Sequence, residues 1–366
     1  MKNTFGTSVC LTVFGESHGP FIGAVLDGLA PGIDVNEDDI RHALTLRRPA
    51  GRISTARQEK DEYTIASGVF EGKTTGTPIA IIIPNADTRS KDYKKTYGIA
   101  RPGHADFAAY CKYHGFEDYR GGGHFSGRVT RALVAAGAIA RAALAGKGIY
   151  LGTHIKELAG IPDRAFGDLK ADIDDLYGKI FPVLSSEAEE KMRAEIEKAA
   201  AEGDSVGGML ETVIIGMPAG VGEPYFDSLE SVIAHMMFSV PGIKGVLFGA
   251  GADFAKMRGS EANDAFRMGE DGKVCTKTNN NGGVNGGITN GSPVCFTTVI
   301  KPTPSIYKTQ ETIDFLAGEE KDISIEGRHD PCIAHRARIV VDSLTAIALC
   351  DMLAGRYGTD WMRNNE

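Results

Sequence analysis

The 366-residue sequence predicts an α+β protein in which antiparallel sheets pack on buried helices. Three observations carry this. Strand-like runs come in pairs with short breaks between them, first over Ser8–Phe14 and Ile22–Leu26. The helical runs are few and long: Val129–Leu144 is apolar on nearly every side, and Val340–Tyr357 strongly so on one side. The regular βαβα rhythm of a doubly wound parallel sheet is missing. No internal repeat is visible. The whole chain, 1–366, is expected to form a single domain with a peripheral helical excursion at about 161–203.

Taken in order, the first strand pair is broken by Gly15–Gly19 (GESHG). Asn36 then caps a helix whose first turn holds Glu37, Asp38 and Asp39, where carboxylates meet the positive end of the dipole. Ile40 and Leu44 share one of its faces, and Pro49 ends it. A basic loop follows, with Arg47, Arg48, Arg52 and Arg57 around a bend at Gly51. Tyr63–Phe70 and Pro78–Ile83 are rich in β-branched and apolar residues and read as strands. Asp87–Gly98 is polar and reads as a surface loop. Gly146 stops the first buried helix, and Ile149–Ile155 reads as a strand. In the excursion, Ser186 and Glu189 have capping-box spacing at the head of a charged helix with a Met192, Ile196, Ala199 stripe. Met209–Met217, Val246–Ala252 and Val294–Ile300 read as strands. Asn279–Gly291 is so rich in Gly and Asn that a flexible linker is as good a reading as a functional turn.

Composition narrows the function. The hydrophobic fraction of 42% and charged fraction of 24% are those of an ordinary soluble globular protein. A formal net charge of −8 argues against a general binder of nucleic acid, and local arginine clusters on an acidic chain suit a small anionic substrate. Cys10, Cys111, Cys275, Cys295, Cys332 and Cys350 are dispersed without a C-x-x-C pair, which points to a reduced, cytoplasmic setting and gives no support to a zinc site. The N-terminal residues lack a signal-peptide pattern, and no apolar run approaches the ~20 residues of a membrane span.

The chemistry-bearing residues concentrate between Arg101 and Arg131, a stretch expected to be a functional loop feeding into the buried helix. His104 lies in RPGHAD, flanked by Arg101 and Asp106 on a turn fixed by Pro102 and Gly103. Arg120 precedes three glycines, Gly121 to Gly123, whose backbone can approach an anion closely. Arg128 and Arg131 stand at the start of the helix, where free N–H groups and the dipole favour negative charge, and arginine adds bidentate binding of carboxylate or phosphate. This is no Walker A loop, because no Gly-Lys-Ser/Thr follows. Elsewhere His18 sits in the GESHG turn with a pKa suited to proton transfer. Lys301-Pro302-Thr303-Pro304-Ser305 offers a cation and hydroxyls on a stiff backbone. Arg328-His329-Asp330-Pro331-Cys332 precedes the last helix, and Asp330 can act as a base or cap the turn. Each motif also has an ordinary structural use. Their recurrence indicates an enzyme that binds a compact polyanion and moves protons with histidine. A metal-dependent hydrolase built on His18, His104, His329 and Asp330 lacks any supporting ligand spacing. An RNA-binding protein lacks interleaved aromatic and basic residues.

The series GESHG, RRPAGR, SGVFEG, RPGHADF, DYRGGG, VAAGAIA, GDSVGG, IKGV, NGGITNG, KPTPS and GRHDPC resembles the chorismate synthase family, in family order from about Phe14 to Leu353. The resemblance implies helices sandwiched between antiparallel sheets in a homotetramer. It implies a 1,4-anti elimination of phosphate from 5-enolpyruvylshikimate 3-phosphate, with reduced FMN required but no net redox. By motif match, Arg47, Arg52, Arg101, Arg128 and Ser17 are expected at the anionic substrate. His18 is expected to protonate the leaving phosphate, His104 to stabilise or protonate the reduced flavin, and Asp330 to work with flavin N5 in removing the ring proton. His124, Phe125, Ser126, Gly286, Lys301, Pro302, Thr303, Pro304, Ser305 and Arg328 are expected to bind FMN, near a subunit interface, and no metal is implied. An external flavin reductant is expected, since the length leaves no room for a reductase domain.

Two departures from the family pattern stand out. Many members read GGGRSS where this chain has Gly121-Gly122-Gly123-His124-Phe125-Ser126, and an Asn-Ala pair is replaced by Pro241-Gly242. Both predict altered flavin affinity with activity retained.

Overall fold

The computed structural model describes residues 2–49, 51–54, 62–85, 97–269, 272–325 and 329–363. Most of the predicted 87–98 loop, with Arg57 and Arg328, lies outside the described residues, as does the side chain of Arg52.

Two five-stranded sheets form the outer layers. The first has the order Thr4–Phe5, Cys10–Gly15, Phe21–Asp27, Ile79–Pro84, Thr64–Ser67, and the second Ile243–Phe248, Val294–Ile300, Gly208–Ile215, Tyr150–Leu158, Ile161–Pro162. Every pairing within them is antiparallel. The helices are α1 (Glu37–Arg47), α2 (Asp106–Tyr113), α3 (Thr130–Ala145), α4 (Leu169–Gly178), α5 (Ser186–Ala201), α6 (Leu229–Met237), α7 (Gly259–Ala262) and α8 (Ala334–Tyr357). α3 packs on the first sheet, α8 on the second, and the two helices pack on each other. The predicted α+β class, with helices between antiparallel sheets, is therefore the observed architecture.

The core follows the two periodicities of the sequence. Ile22, Ala24 and Leu26 point inward from one strand, and their neighbours Ile79, Ile81 and Ile83 from the next. Leu210 and Ile214 meet the interior from the second sheet together with Val294, Phe296 and Ile300. α3 is buried almost all round because alanine dominates it. Small residues let α3 and α8 approach closely: a Cβ on Gly137 would lie 2.2 Å from the Cβ of Ser343. The Cys350 thiol also reaches the Ala140 carbonyl at 3.6 Å. Contacts 137 to 343 and 140 to 350 advance together, so the two helices run in the same direction, with both N-termini at one end of the molecule.

Several elements differ from expectation for local reasons. The 101–131 stretch is not all loop, since α2 occupies Asp106–Tyr113 and closes with His114 in the left-handed region at φ 58°. α8 begins six residues before the predicted Val340, because its first turns carry buried polar residues, His335 and Arg338, that hide the apolar pattern. The cap of α5 is Ser185, whose side chain accepts from Ala188 N, and not Ser186. Glu189, predicted to close that capping box, instead pairs with Arg193. The predicted Val246–Ala252 strand ends at Phe248, where a turn begins. The Asn/Gly-rich 279–291 segment is an ordered turn: the Asp264 carboxylate accepts from the N–H groups of Asn280 and Asn281, and Asn279 bonds Pro293 O and Gly283 N.

The excursion is tied to the core by buried polar bonds. Arg338, fully buried on α8, donates to the carbonyls of Leu176 and Lys179 at the end of α4 and lies against Asp342. His154, inside the second sheet, bonds Asp163 at 2.9 Å and Glu211 at 3.3 Å. Asp163 also accepts from the N–H groups of Leu184 and Ser185 ahead of α5, and Glu211 also pairs with Lys156. Arg164 and Asp172 pair beside this cluster.

Burial alone would lower the His154 pKa, but its bonds to Asp163 and Glu211 prevail and raise it. A group whose pKa rises on folding contributes stability fully below its unfolded value of about 6.5 and loses it as pH climbs through the folded value. Urea unfolding across a pH series is expected to show wild type most favoured over His154→Gln below neutrality, with the advantage fading on the alkaline side. At the helix crossing, Gly137→Ala forces a methyl into Ser343. It is expected to lower the unfolding free energy by about 1–3 kcal/mol, read from the denaturation midpoint.

Candidate active site

The common N-terminal end of α3 and α8 gathers most of the predicted residues. Gly121, Gly122 and Gly123 have φ of 59°, 84° and 51°, a run of positive values that only glycine takes without strain. The turn they make presses on the GESHG segment. Ser17 N donates to Gly123 O, and a Cβ on Gly121 would lie 2.1 Å from His18 Cε1. Glycine at 121 therefore makes the room in which His18 sits.

Ser17 is buried, and its hydroxyl lies 3.1 Å from Arg120 O and 2.9 Å from His18 Nδ1. A carbonyl can only accept, so the hydroxyl donates to Arg120 O and accepts from His18 Nδ1–H. That fixes the imidazole tautomer, with the proton on Nδ1. The Ser17 hydroxyl, expected at the substrate, thus orients His18. Arg128 Nη1 donates to Ser17 O at 2.7 Å, which ties the head of α3 to the same turn. Ser126 caps the turn preceding α3, accepting from Arg128 N.

Arg47, at the end of α1, is buried and reaches the same place from below. Its Nη2 donates to Gly127 O and its Nε to Thr130 Oγ1, at 2.8 and 2.9 Å. Arg336 on α8 joins it to the GRHDPC motif: Nε donates to Arg47 O at 2.9 Å and Nη1 to Asp330 Oδ2 at 2.7 Å. His335 Nε2 lies 2.8 Å from Ser54 Oγ, so the same helical turn also holds Ser54 in the Arg-rich loop. Burial drives the His335 pKa down to about 3 and keeps it neutral.

A second group stands beside Asp330. His104 Nε2 bonds Ser305 Oγ at 2.7 Å, and Lys301 Nζ donates to Gly103 O at 2.6 Å. Arg101 makes a bidentate pair with Asp106. His329 is close enough to feel the charges of Arg101 and Asp330, and His104 feels His329. Bonds and chain neighbours thus link His18, Ser17, Arg128, Arg47, Arg336 and Asp330, while the His104–Ser305 pair meets them electrostatically, through His329. Burial, then the neighbouring Arg101 cation, lower the His104 pKa to about 4 against the pull of Asp106.

Three expected residues lie outside these bonds. The His124 ring bonds Gly15 O through Nδ1 at 2.8 Å, locking the glycine turn onto the residue where the Cys10–Gly15 strand runs into GESHG. Phe125 is half-exposed and meets Tyr113 edge-on. Gly286 lies in the turn near Val294, at the opposite end of strand Val294–Ile300 from Lys301. Seven residues at about 3.3 Å each separate the two positions within one chain. Arg328 lies outside the described residues. Sequence reasoning missed Arg336, His335 and Ser54; only the charge of Arg336, six residues after a suspected acid, could have hinted at it.

A family model for chorismate synthase matches residues 9–354. The chain belongs to the chorismate synthase family. Its relatives include chorismate synthases of Chitinophaga pinensis, 46% identical over 351 residues and 96% of both chains, and of Korarchaeum cryptofilum, 45% identical over 350 residues, covering 95% of this chain and 96% of the relative. Another, from Thermococcus gammatolerans, is 43% identical over 352 residues, covering 96% of this chain and 97% of the relative. A crystal structure of chorismate synthase superposes with a TM-score of 0.77 at 27% identity, covering 97% of this chain and 94% of that one. The protein is a carbon–oxygen lyase acting on phosphate. It eliminates phosphate 1,4-anti from 5-enolpyruvylshikimate 3-phosphate, giving chorismate in the shikimate pathway. The family is flavin-dependent. Among the described residues, no helix is long and apolar enough to cross a membrane.

Imidazole-resolved NMR of the protein without ligands is expected to show His104 uncharged through neutral pH and titrating near pH 4.

Proposed function

We propose that the network from His18 to Asp330, with His104 and Ser305 beside it, carries out the elimination, and that the N-terminal end of α3 and α8 receives the three acidic groups of the substrate. The observation behind this reading is the linkage through Arg336, which holds Asp330 within one hydrogen-bonded network with Arg47, Arg128 and His18. The substrate carries a phosphate and two carboxylates. Arg47, Arg52, Arg101 and Arg128 supply positive charge, and the parallel N-termini of α3 and α8 add their dipoles at the same end.

His18, held by Ser17 with Nε2 as its exchanging nitrogen, gives a proton to the departing phosphate. The Asp330 carboxylate accepts the proton lost from the ring. His104 is neutral as it stands, but an anion placed between Arg101 and Lys301 offsets the two cations that lower its pKa and brings it toward protonation. It then serves as a hydrogen-bond donor to negative charge.

The residues at the second group fit a flavin. The Thr303 hydroxyl is buried without a hydrogen-bond partner, Ser305 is buried beside His104, and Lys301 places a cation on the same segment. Lys301 to Ser305 with Ser126, His124, Phe125 and Arg328 would hold FMN. When bound in its reduced form, FMN supplies electron density that helps phosphate leave, with no net redox. Reduced flavin is furnished by an outside reductant in the cytoplasm. The reading includes one catalytic unit over the whole chain and a homotetramer. Two features support the latter: the distance of Gly286 from Lys301 within one chain, and the exposed Phe266, Met268 and Val274 on one hairpin.

An anaerobic assay of phosphate release with dithionite-reduced FMN tests the reading. His18→Ala, His104→Ala and Asp330→Ala are each expected to cut turnover by on the order of tenfold or more, with turnover in the parent enzyme unaffected by a chelator. Near-normal turnover in all three variants would overturn it.

A further inference from the structure

We propose that Arg336 is a positioning residue for the elimination, holding the Asp330 carboxylate and the end of α1 with a single guanidinium. The proposal rests on the reading of Asp330 as the group that takes the ring proton.

The geometry is specific. Nη1 donates to Asp330 Oδ2 at 2.7 Å and Nε donates to Arg47 O at 2.9 Å. Both side chains of the ion pair are mostly buried, at 15% and 17% exposure. Water screens such a pair far less than one on the open surface. The Arg47 carbonyl belongs to the last residue of α1, where helix geometry leaves carbonyls without an intrahelical donor. Arg336 satisfies that carbonyl and sets its positive charge against the negative end of the α1 dipole. Arg47 in turn extends its side chain to Gly127 O and Thr130 Oγ1. Moving Arg336 therefore moves the Asp330 carboxylate and the arginine that braces the head of α3.

The neighbouring residue strengthens the clamp. His335, one position earlier in the same turn, reaches Ser54 through Nε2. The first turn of α8 thus grips both ends of the segment from Arg47 to Ser54, the segment that carries Arg48 and Arg52. Arginine is required at 336 because its planar fork presents donors along two directions at once, whereas a lysine ammonium is one point charge. Lysine can keep the charge opposite Asp330 but cannot hold the Arg47 carbonyl as well.

The test uses the full-length enzyme in the anaerobic assay, with Arg336→Gln, Arg336→Lys, Asp330→Asn and the Asp330→Asn/Arg336→Gln double variant. Arg336→Gln is expected to lower kcat by on the order of 100-fold, as for a misplaced catalytic group, with a smaller change in KM. Arg336→Lys is expected to leave kcat depressed, because the charge alone does not hold the Arg47 carbonyl. In the Asp330→Asn background, Arg336→Gln is expected to cost little more, since the two act together. Wild-type kcat in Arg336→Gln, alongside an impaired Asp330→Asn, would overturn the proposal. So would additive losses in the double variant, which mark a merely structural arginine. Normal turnover in Asp330→Asn would instead remove the reading on which the proposal rests. If Arg336→Gln proves insoluble, Arg336→Lys decides alone: a kcat equal to wild type overturns the proposal.

Discussion

The close, parallel crossing of α3 and α8 is the constraint on which the rest of the molecule depends. It exists because Gly137 offers no side chain where Ser343 arrives. Two helices so placed fill the space between the sheets with alanine and medium-sized apolar groups. They also bring both N-termini to one end. The residues just ahead of them, Gly121 to Val129 on one side and His329 to Ile333 on the other, are carried together as a consequence. Had the helices run in opposite directions, Arg128 and Asp330 would stand at opposite ends of helices α3 and α8, of 16 and 24 residues.

Around that end the chain spends its polar groups mostly on one another. Ser17 fixes the His18 tautomer, Arg128 fixes Ser17, Arg47 braces the head of α3, and Arg336 joins Arg47 to Asp330. Such a network holds its groups in place before a ligand arrives, the arrangement that electrostatic catalysis favours. It also explains why several arginines of the sequence motifs bond to backbone carbonyls: their charge remains at the site while their geometry is set by the fold. His124 acts likewise, binding Gly15 O and so steadying the glycine turn under His18.

The excursion shows a different use of buried charge. Arg338 and His154 lie in the interior with partners drawn from both the core and the segment that packs on it. Removing one member of such a set leaves a buried charge uncompensated, which is the costly event. The excursion is peripheral in sequence character yet joined to the sheet and to α8 by these bonds.

The sequence by itself determined the class of the fold, because strand pairs and all-round apolar helices are written in local periodicity. It determined the character of the site as well: glycine runs, arginine clusters and turn histidines announce an anion-handling enzyme, and their order announces the family. It could not show that α8 starts at Ala334, since His335 and Arg338 break the apolar pattern yet are buried through long-range partners, Ser54, Leu176 and Lys179. Nor could it show that Ser17 serves His18, or that Gly286 and Lys301 lie near opposite ends of strand Val294–Ile300. Only the tertiary structure decided which charges meet. Arg47 and Arg336 are 289 positions apart, and no local rule links them. Their contact exists because α1 and α8 pack on the same central layer, a matter of long-range burial that no short stretch of sequence encodes.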